Sequence, residues 1–201
     1  MSAVPLFRCG NFAAVELEQR DIPGLQRFYE QNPAYFALVM GAPPAPDEAA
    51  RDFAQLPPDG WPFTRKWMIG FRARDGMLVA CADVLQDLFA PGIWHVGFFA
   101  VGERLHGTGV GAALYAHLEA WMRTQGARWL RLGVVRGNVR AEGFWTKVGY
   151  IDVIERRDYE IGLLRHTLRV MVKPLAGETL EAYRALVPRD AATPATEAAA
   201  P

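Results

Sequence analysis

At 201 residues, 51% hydrophobic and 22% charged, the chain has the size and composition of one globular domain with a sizeable core. Lysine and arginine together match aspartate and glutamate at 22 each, so the basic excess that would favour nucleic acid or an anionic membrane as a partner is missing. Cys9 and Cys81 lack metal-ligand spacing and read as free buried thiols; with no signal-like N-terminus and no apolar run longer than Leu88–Val101, a cytoplasmic protein without a membrane span or metal site is expected.

Val15 and Leu17 alternate with Glu16 and Glu18, the period of a half-buried strand, and Asp21 then caps a helix carrying Leu25, Phe28 and Tyr29. Asn32-Pro33 opens a second helical stretch with Tyr35, Phe36, Val39 and Met40 on one face. Gly41 to Pro46 breaks it, Asp47 caps a short helix through Leu56, and Pro57 to Pro62 forms a second loop; both Pro-rich loops are candidates for a substrate rim. Three strands near Lys66–Ala73, Met77–Leu85 and Trp94–Val101, with Asp75-Gly76 as a hairpin turn, predict an antiparallel meander. A helix from about Val110 to Gln125 repeats apolar residues at helical spacing, with His117 on the apolar face, and Gly126 ends it. A strand over Trp129–Val135, a helix over Val139–Val148 closed by Gly149, and strands over Ile151–Glu155 and Leu168–Lys173 complete the series. Beyond Pro174, Leu180, Tyr183 and Val187 mark one more amphipathic stretch, and the Ala/Thr/Pro-rich end cannot build a core. The division expected is a main domain over 1–176, a C-terminal helix over 177–187 and a disordered tail over 188–201.

The segment from Arg104 to Gly111 sets three glycines, Gly107, Gly109 and Gly111, between a strand and a helix. Glycine permits φ > 0 and close ligand approach, and the first N–H groups of the helix lack partners, so such a turn suits a phosphate or pyrophosphate. A dinucleotide site fits poorly. Its glycines would follow the strand at once, whereas Gly102 to His106 intervene, and no acidic residue between Ala120 and Ala141 is available for a ribose.

Arg104-Leu-His-Gly107-Thr-Gly109 instead matches the Gln/Arg-x-x-Gly-x-Gly/Ala signature of the GCN5-related N-acetyltransferase family, and Asn138 to Tyr150 matches its second motif, Asn-x-x-Ala-x-x-aromatic-aromatic-x-x-x-Gly-aromatic. The chain resembles that family. The resemblance implies an α/β fold with a mixed, mostly antiparallel central sheet flanked by helices, its fourth and fifth strands splayed apart at a bulge. It also implies an acetyl-CoA site: Arg104 and the amides of His106, Gly107, Thr108, Gly109, Val110 and Gly111 for the pyrophosphate, main-chain groups near Phe99 and Val101 for the pantetheine arm, and Asn138 and Trp145 as further contacts.

The implied reaction is direct acetyl transfer to a primary amine of a small-molecule or peptide acceptor, with no intermediate on the enzyme; a homodimer is expected only by analogy. Presenting an alkylamine uncharged at pH 7 costs about 4.6 kcal/mol, so a base is worth seeking. The strand Ile93–Val101 holds no carboxylate, which leaves its His95 and, on the preceding strand, Asp83 as candidates, with Asp87 further along. The family's usual acid, a Tyr seven residues after the Asn, is here Trp145, whose indole cannot supply a proton. Either the thiolate leaves with hydrogen-bond help alone, or a residue such as Tyr150 reaches in, or transfer is weak and the chain is an acyl-CoA binder or sensor. Other readings stay open beside these: Asn138 as a helix cap, Trp61, Phe63, Trp67 and Trp94 as a pocket lining or ordinary core, and Arg128, Arg131 and Arg136 as a solvated face or a phosphate contact.

Overall fold

Two short strands, β1 (Phe7–Cys9) and β2 (Phe12–Glu16), turn on Gly10-Asn11 at the N-terminus. The computed structural model describes residues 4–191. Helices α1 (Ile22–Glu30), α2 (Pro33–Met40) and α3 (Glu48–Ala54) follow, then the meander β3 (Arg65–Arg72), β4 (Leu78–Gln86) and β5 (Ile93–Val101). Helix α4 (Val110–Thr124) crosses over to β6 (Trp129–Val135), and α5 (Val139–Lys147) leads to β7 (Ile151–Ile161), β8 (Leu164–Pro174) and α6 (Leu180–Leu186).

The eight strands form one sheet in the order β1-β2-β3-β4-β5-β6-β8-β7, antiparallel throughout except between β5 and β6. The fold class is as expected, but the N-terminal hairpin adds a strand, so the splayed pair counted as fourth and fifth is β5 and β6 here. Period-two burial divides the side chains between two faces. One face carries Trp67, Ile69, Phe71, Val84, Trp94, Val96 and Leu132 against Leu114, Leu118, Trp121 and Met122 of α4. On the other, Met68 and Cys81 meet Leu25, Phe28 and Tyr29 of α1 and Phe36 of α2, while Ile93, Trp129 and Val172 meet Tyr183 of α6 and the following Val187. Between those two covers, Gly97 and Gly133 stay exposed and His95 half-exposed.

Several local expectations change. Asp21 and Asp47 occupy N-cap positions but do not cap; Asp21 pairs with Arg72 at 2.8 Å and Asp47 with Arg51 at 2.6 Å. His117 is exposed, because the buried stripe of α4 runs through Leu114, Tyr115, Leu118 and Met122 and His117 falls off its edge. Trp67 and Trp94 lie in the α4-side core, packed on Trp121, while Trp61 and Phe63 stay on the loop before β3, Trp61 tilted against Phe89 at 4.8 Å. Strands β7 and β8 run to 11 residues each. Their tip reaches α2, where the Leu163 N–H donates to the Met40 carbonyl at 2.8 Å and His166 Nε2 lies 2.7 Å from the Val39 carbonyl. The tail expected from 188 begins as structure: Pro188–Asp190 form a 3-10 turn and Asp190 is fully buried. Residues 192–201 lie outside the described residues.

Candidate active site

The glycine turn adopts the backbone its sequence requires. Gly107 and Gly109 take φ of 76° and 83°, the left-handed region that favours glycine, and a Cβ at either would meet nothing within 4 Å. Thr108 Oγ1 donates to the Leu105 carbonyl at 2.7 Å and steadies the turn. Among the described residues, nothing accepts from the amides of Gly107, Gly109, Gly111 and Ala112, while Val110 N–H reaches Thr108 Oγ1 only at 3.4 Å. Open space, orphan donors and the positive end of a 15-residue helix fit a diphosphate. Arg104 is exposed beside the turn. His106 is half-buried, its Nε2 2.7 Å from the Val101 carbonyl, so that carbonyl is already engaged.

The sheet opens next to this turn. β5 pairs with β6 only from Ile93↔Trp129 to Val96↔Leu132, and β5 then carries one extra residue, Gly97, between Val84↔Val96 and Asp83↔Phe98. A bulge of this kind ends the ladder and leaves strand edge unpaired, here from Gly97 to Val101 on the side toward β6. Phe99 turns toward α4, where it packs on Tyr115, Phe144 and Trp145.

Asp83 lies across the bulge. Its side chain is 22% exposed, Oδ2 is 3.3 Å from Lys66 Nζ, and Oδ1 is buried with no partner. Burial raises its pKa to about 6; Lys66 opposes the rise and Asp52 on α3 adds to it. Lys66 is held by the Asp52 and Gln55 carbonyls, and the Asp52 carboxylate accepts from Tyr29 Oη at 2.9 Å. Lys66 and Asp52 were not among the sequence candidates; Lys66 lies beside Asp83 only because β3 and β4 pair Met68 with Asp83.

His95 lies on the same sheet face, opposite Leu85. Its Nδ1 is 3.3 Å from Arg131 Nη1, and Arg131 is clamped to Asp190 by Nε at 2.7 Å and Nη2 at 3.1 Å. Tyr183 Oη donates to Asp190 at 2.7 Å and Arg156 joins at 3.0 Å. Burial and the Arg131 charge lower the His95 pKa to about 3, so the ring is neutral at pH 7 with Nδ1 accepting and Nε2 carrying the proton. The solvated face expected of the arginines is therefore absent at Arg131, which is buried, while Arg128 and Arg136 pair with Glu178 and Glu155.

The second motif is mostly structural. Asn138 caps α5, its Oδ1 accepting from Ala141 N–H at 3.2 Å. Trp145 is 8% exposed among Tyr115, Phe144 and Tyr150. Tyr150 Oη lies 2.6 Å from Tyr115 Oη, and burial pushes both phenols well above their ordinary pKa.

No helix among the described residues is long and apolar enough to cross a membrane. A comparison with curated protein sequences finds no match. Solved structures with a similar fold include an acetyltransferase from Thermus thermophilus (TM-score 0.64, 20% identity, 84% of this chain and 100% of that one) and a GCN5-related N-acetyltransferase from Kribbella flavida (TM-score 0.60, 22% identity, 83% and 99%). A spermidine N-acetyltransferase from Vibrio cholerae, solved with CoA and spermine, aligns with a TM-score of 0.63 at 11% identity over 82% of this chain and 96% of that one. The family model described as the acetyltransferase (GNAT) family matches residues 25–150. A match that spans more than half of the sequence and takes in both the glycine turn and the Asn138–Tyr150 segment makes the chain a member of the acetyltransferase (GNAT) family.

Proposed function

We propose that the chain moves the acetyl group of acetyl-CoA directly onto a primary amine, with both substrates bound together and Asp83 as the base. The observation that carries this reading is the Asp83 carboxyl placed across the Gly97 bulge, at the point where β5 leaves β6. When bound, acetyl-CoA supplies an electrophilic thioester carbonyl and a leaving thiol of pKa about 8.5. The orphan amides of Gly107, Gly109, Gly111 and Ala112 hold the diphosphate, and the open β5 edge from Gly97 to Ala100, with the Val101 N–H, receives the extended arm as an added strand would be received.

With a pKa of about 6, Asp83 is ionised at neutral pH and draws the proton from the incoming ammonium, directly or through a water. His95 stays neutral and offers Nε2–H to the acceptor side, fixed by Arg131 and Asp190. Cys81 takes no part, since it is fully buried and its thiol is pushed up by burial. No side chain is needed as acid for a thiolate of this basicity.

The test is thiol release from acetyl-CoA with a panel of primary amines, scored against formation of the acetylated amine. Equimolar product is expected. A second reading, an acyl-CoA sensor, is favoured by one observation: Trp145 and Tyr150 are both locked in the core rather than turned to the splay. Tight acetyl-CoA binding with no amine turned over would select it.

A further inference from the structure

We propose that the acceptor carries an anionic group besides its amine, a carboxylate or phosphate, and that Arg189 and Arg156, beside the second Pro-rich loop, form the rim that receives that group. The proposal rests on the acetyl-transfer reading above and names its substrate class. A continuous line of contacts leads from His95 to this rim. His95 touches Arg131, the Arg131 guanidinium lies 5.4 Å from the Phe89 ring, and Phe89 packs at a tilt on Trp61 of the second Pro-rich loop. Arg189 lies over both rings, 3.9 Å from Trp61 and 4.9 Å from Phe89.

Charge is unbalanced at this place. Two guanidiniums, Arg131 and Arg156, converge on Asp190, and a third, that of Arg189, lies over Trp61 and Phe89. Arg131 uses Nε and Nη2 on Asp190 and Nη1 on His95. Arg156 gives one nitrogen to Asp190 and the Arg189 carbonyl, while its Nε is buried without an acceptor. Among the described residues no carboxylate pairs with the Arg189 guanidinium. Burial, Arg156 and Arg131 work against its charge and outweigh the support of Asp190 and Tyr159. An exposed arginine on an ordinary surface swings toward water or a carboxylate; this one is held over two aromatic rings beside like charges, and the planar fork it presents matches a carboxylate or phosphate.

The sheet face and the loop beyond it thus differ in sign, with the Asp83 carboxyl at the bulge and arginines at the rim. An amine that also bears an anion satisfies both. A diamine would set its second cation against the guanidiniums.

The experiment compares kcat/KM for matched pairs, β-alanine with β-alaninamide and O-phosphoethanolamine with ethanolamine, plus putrescine, in wild type and Arg189→Gln at low salt. The wild type is expected to favour one anionic member by about tenfold or more, the two pairs telling carboxylate from phosphate, and Arg189→Gln to cut that ratio about fivefold or more. Comparing ratios cancels the intrinsic reactivity of each amine. An unchanged ratio in Arg189→Gln, or a wild-type preference for the amide, ethanolamine or putrescine, overturns the proposal. If no amine is turned over, acetyl transfer itself fails, and the rim is read by calorimetric titration of β-alanine and O-phosphoethanolamine into the CoA complex: binding lost in Arg189→Gln sustains it, and no binding to the wild type sinks it.

Discussion

The Asp83 carboxyl carbon lies 3.7 Å from the point where a Cβ on Gly97 would sit, so a side chain of β4 fills the space that the bulge of β5 leaves open. Burial raises this carboxyl to about 6 against the pull of Lys66, and it is the ionised form that accepts a proton. Activity is therefore expected to fall as pH drops through about 6. Asp83→Asn should lower kcat/KM at pH 7 by about a hundredfold, remove that acid limb, and lose much less near pH 10, where the amine is already neutral. A pH–rate profile checks it; a loss equal at every pH would mark Asp83 as a positioning residue instead.

The glycine turn offers a test free of fold damage at Gly111. That residue has ordinary helical φ, and a Cβ there would meet only Val101 Cγ2 at 3.5 Å, so Gly111→Ala is expected to bind CoA within about twofold of wild type. Gly111→Asp sets a carboxylate beside the orphan amides and should weaken CoA binding by about tenfold or more. Calorimetry on both variants decides, and equal affinities would remove the diphosphate from this turn.

Asp190 is a stability determinant. Burial would raise its carboxyl, but Arg131, Tyr183 and Arg156 hold it down to about 2. Because the folded pKa lies below the unfolded value of about 3.9, the stabilisation is present above pH 4 and is lost as pH falls toward 2, amounting to roughly 2–3 kcal/mol. Asp190→Asn strands the buried Arg131 charge and should cost about 3–5 kcal/mol in denaturant unfolding at pH 7. A loss under 1 kcal/mol would mean that water reaches Arg131.

Trp145→Phe separates packing from chemistry. The indole packs on Tyr115 at 5.1 Å and Tyr150 at 5.3 Å, and trimming it should reduce stability by about 1–3 kcal/mol. Turnover is expected to change by less than about threefold, since a thiolate of pKa about 8.5 leaves without an acid. A fall of a hundredfold in kcat at unchanged KM would place the indole N–H at the reacting atoms.

The glycine turn and the two helices beside it were legible because they are local. Val110 to Thr124 follows its glycines directly, Asn138 caps the helix it opens, and helical spacing sets the bounds of both α4 and α5 within a residue or two. The charged surroundings of Asp83 and His95 are assembled across the chain. Arg131 and Asp190 are 59 residues apart, and Asp190 leads into an Ala/Thr/Pro-rich stretch that reads as tail. Lys66 reaches Asp83 through strand register, which spacing along one strand does not reveal. Beyond Glu155 the β7–β8 hairpin is crowded with Arg, Asp and Glu because both its faces meet water, and without an apolar alternation its length could not be read.

The family match ends at residue 150, yet the counter-ion of the arginine beside His95 comes from residue 190. The recognised region therefore leaves out the partner of one of its own buried charges. A chain cut after Leu186 would keep every strand and every motif residue and still leave a guanidinium in the interior with nothing to neutralise it. Shortened or C-terminally fused forms of this enzyme need their junction placed beyond Asp190, however dispensable the sequence around it looks.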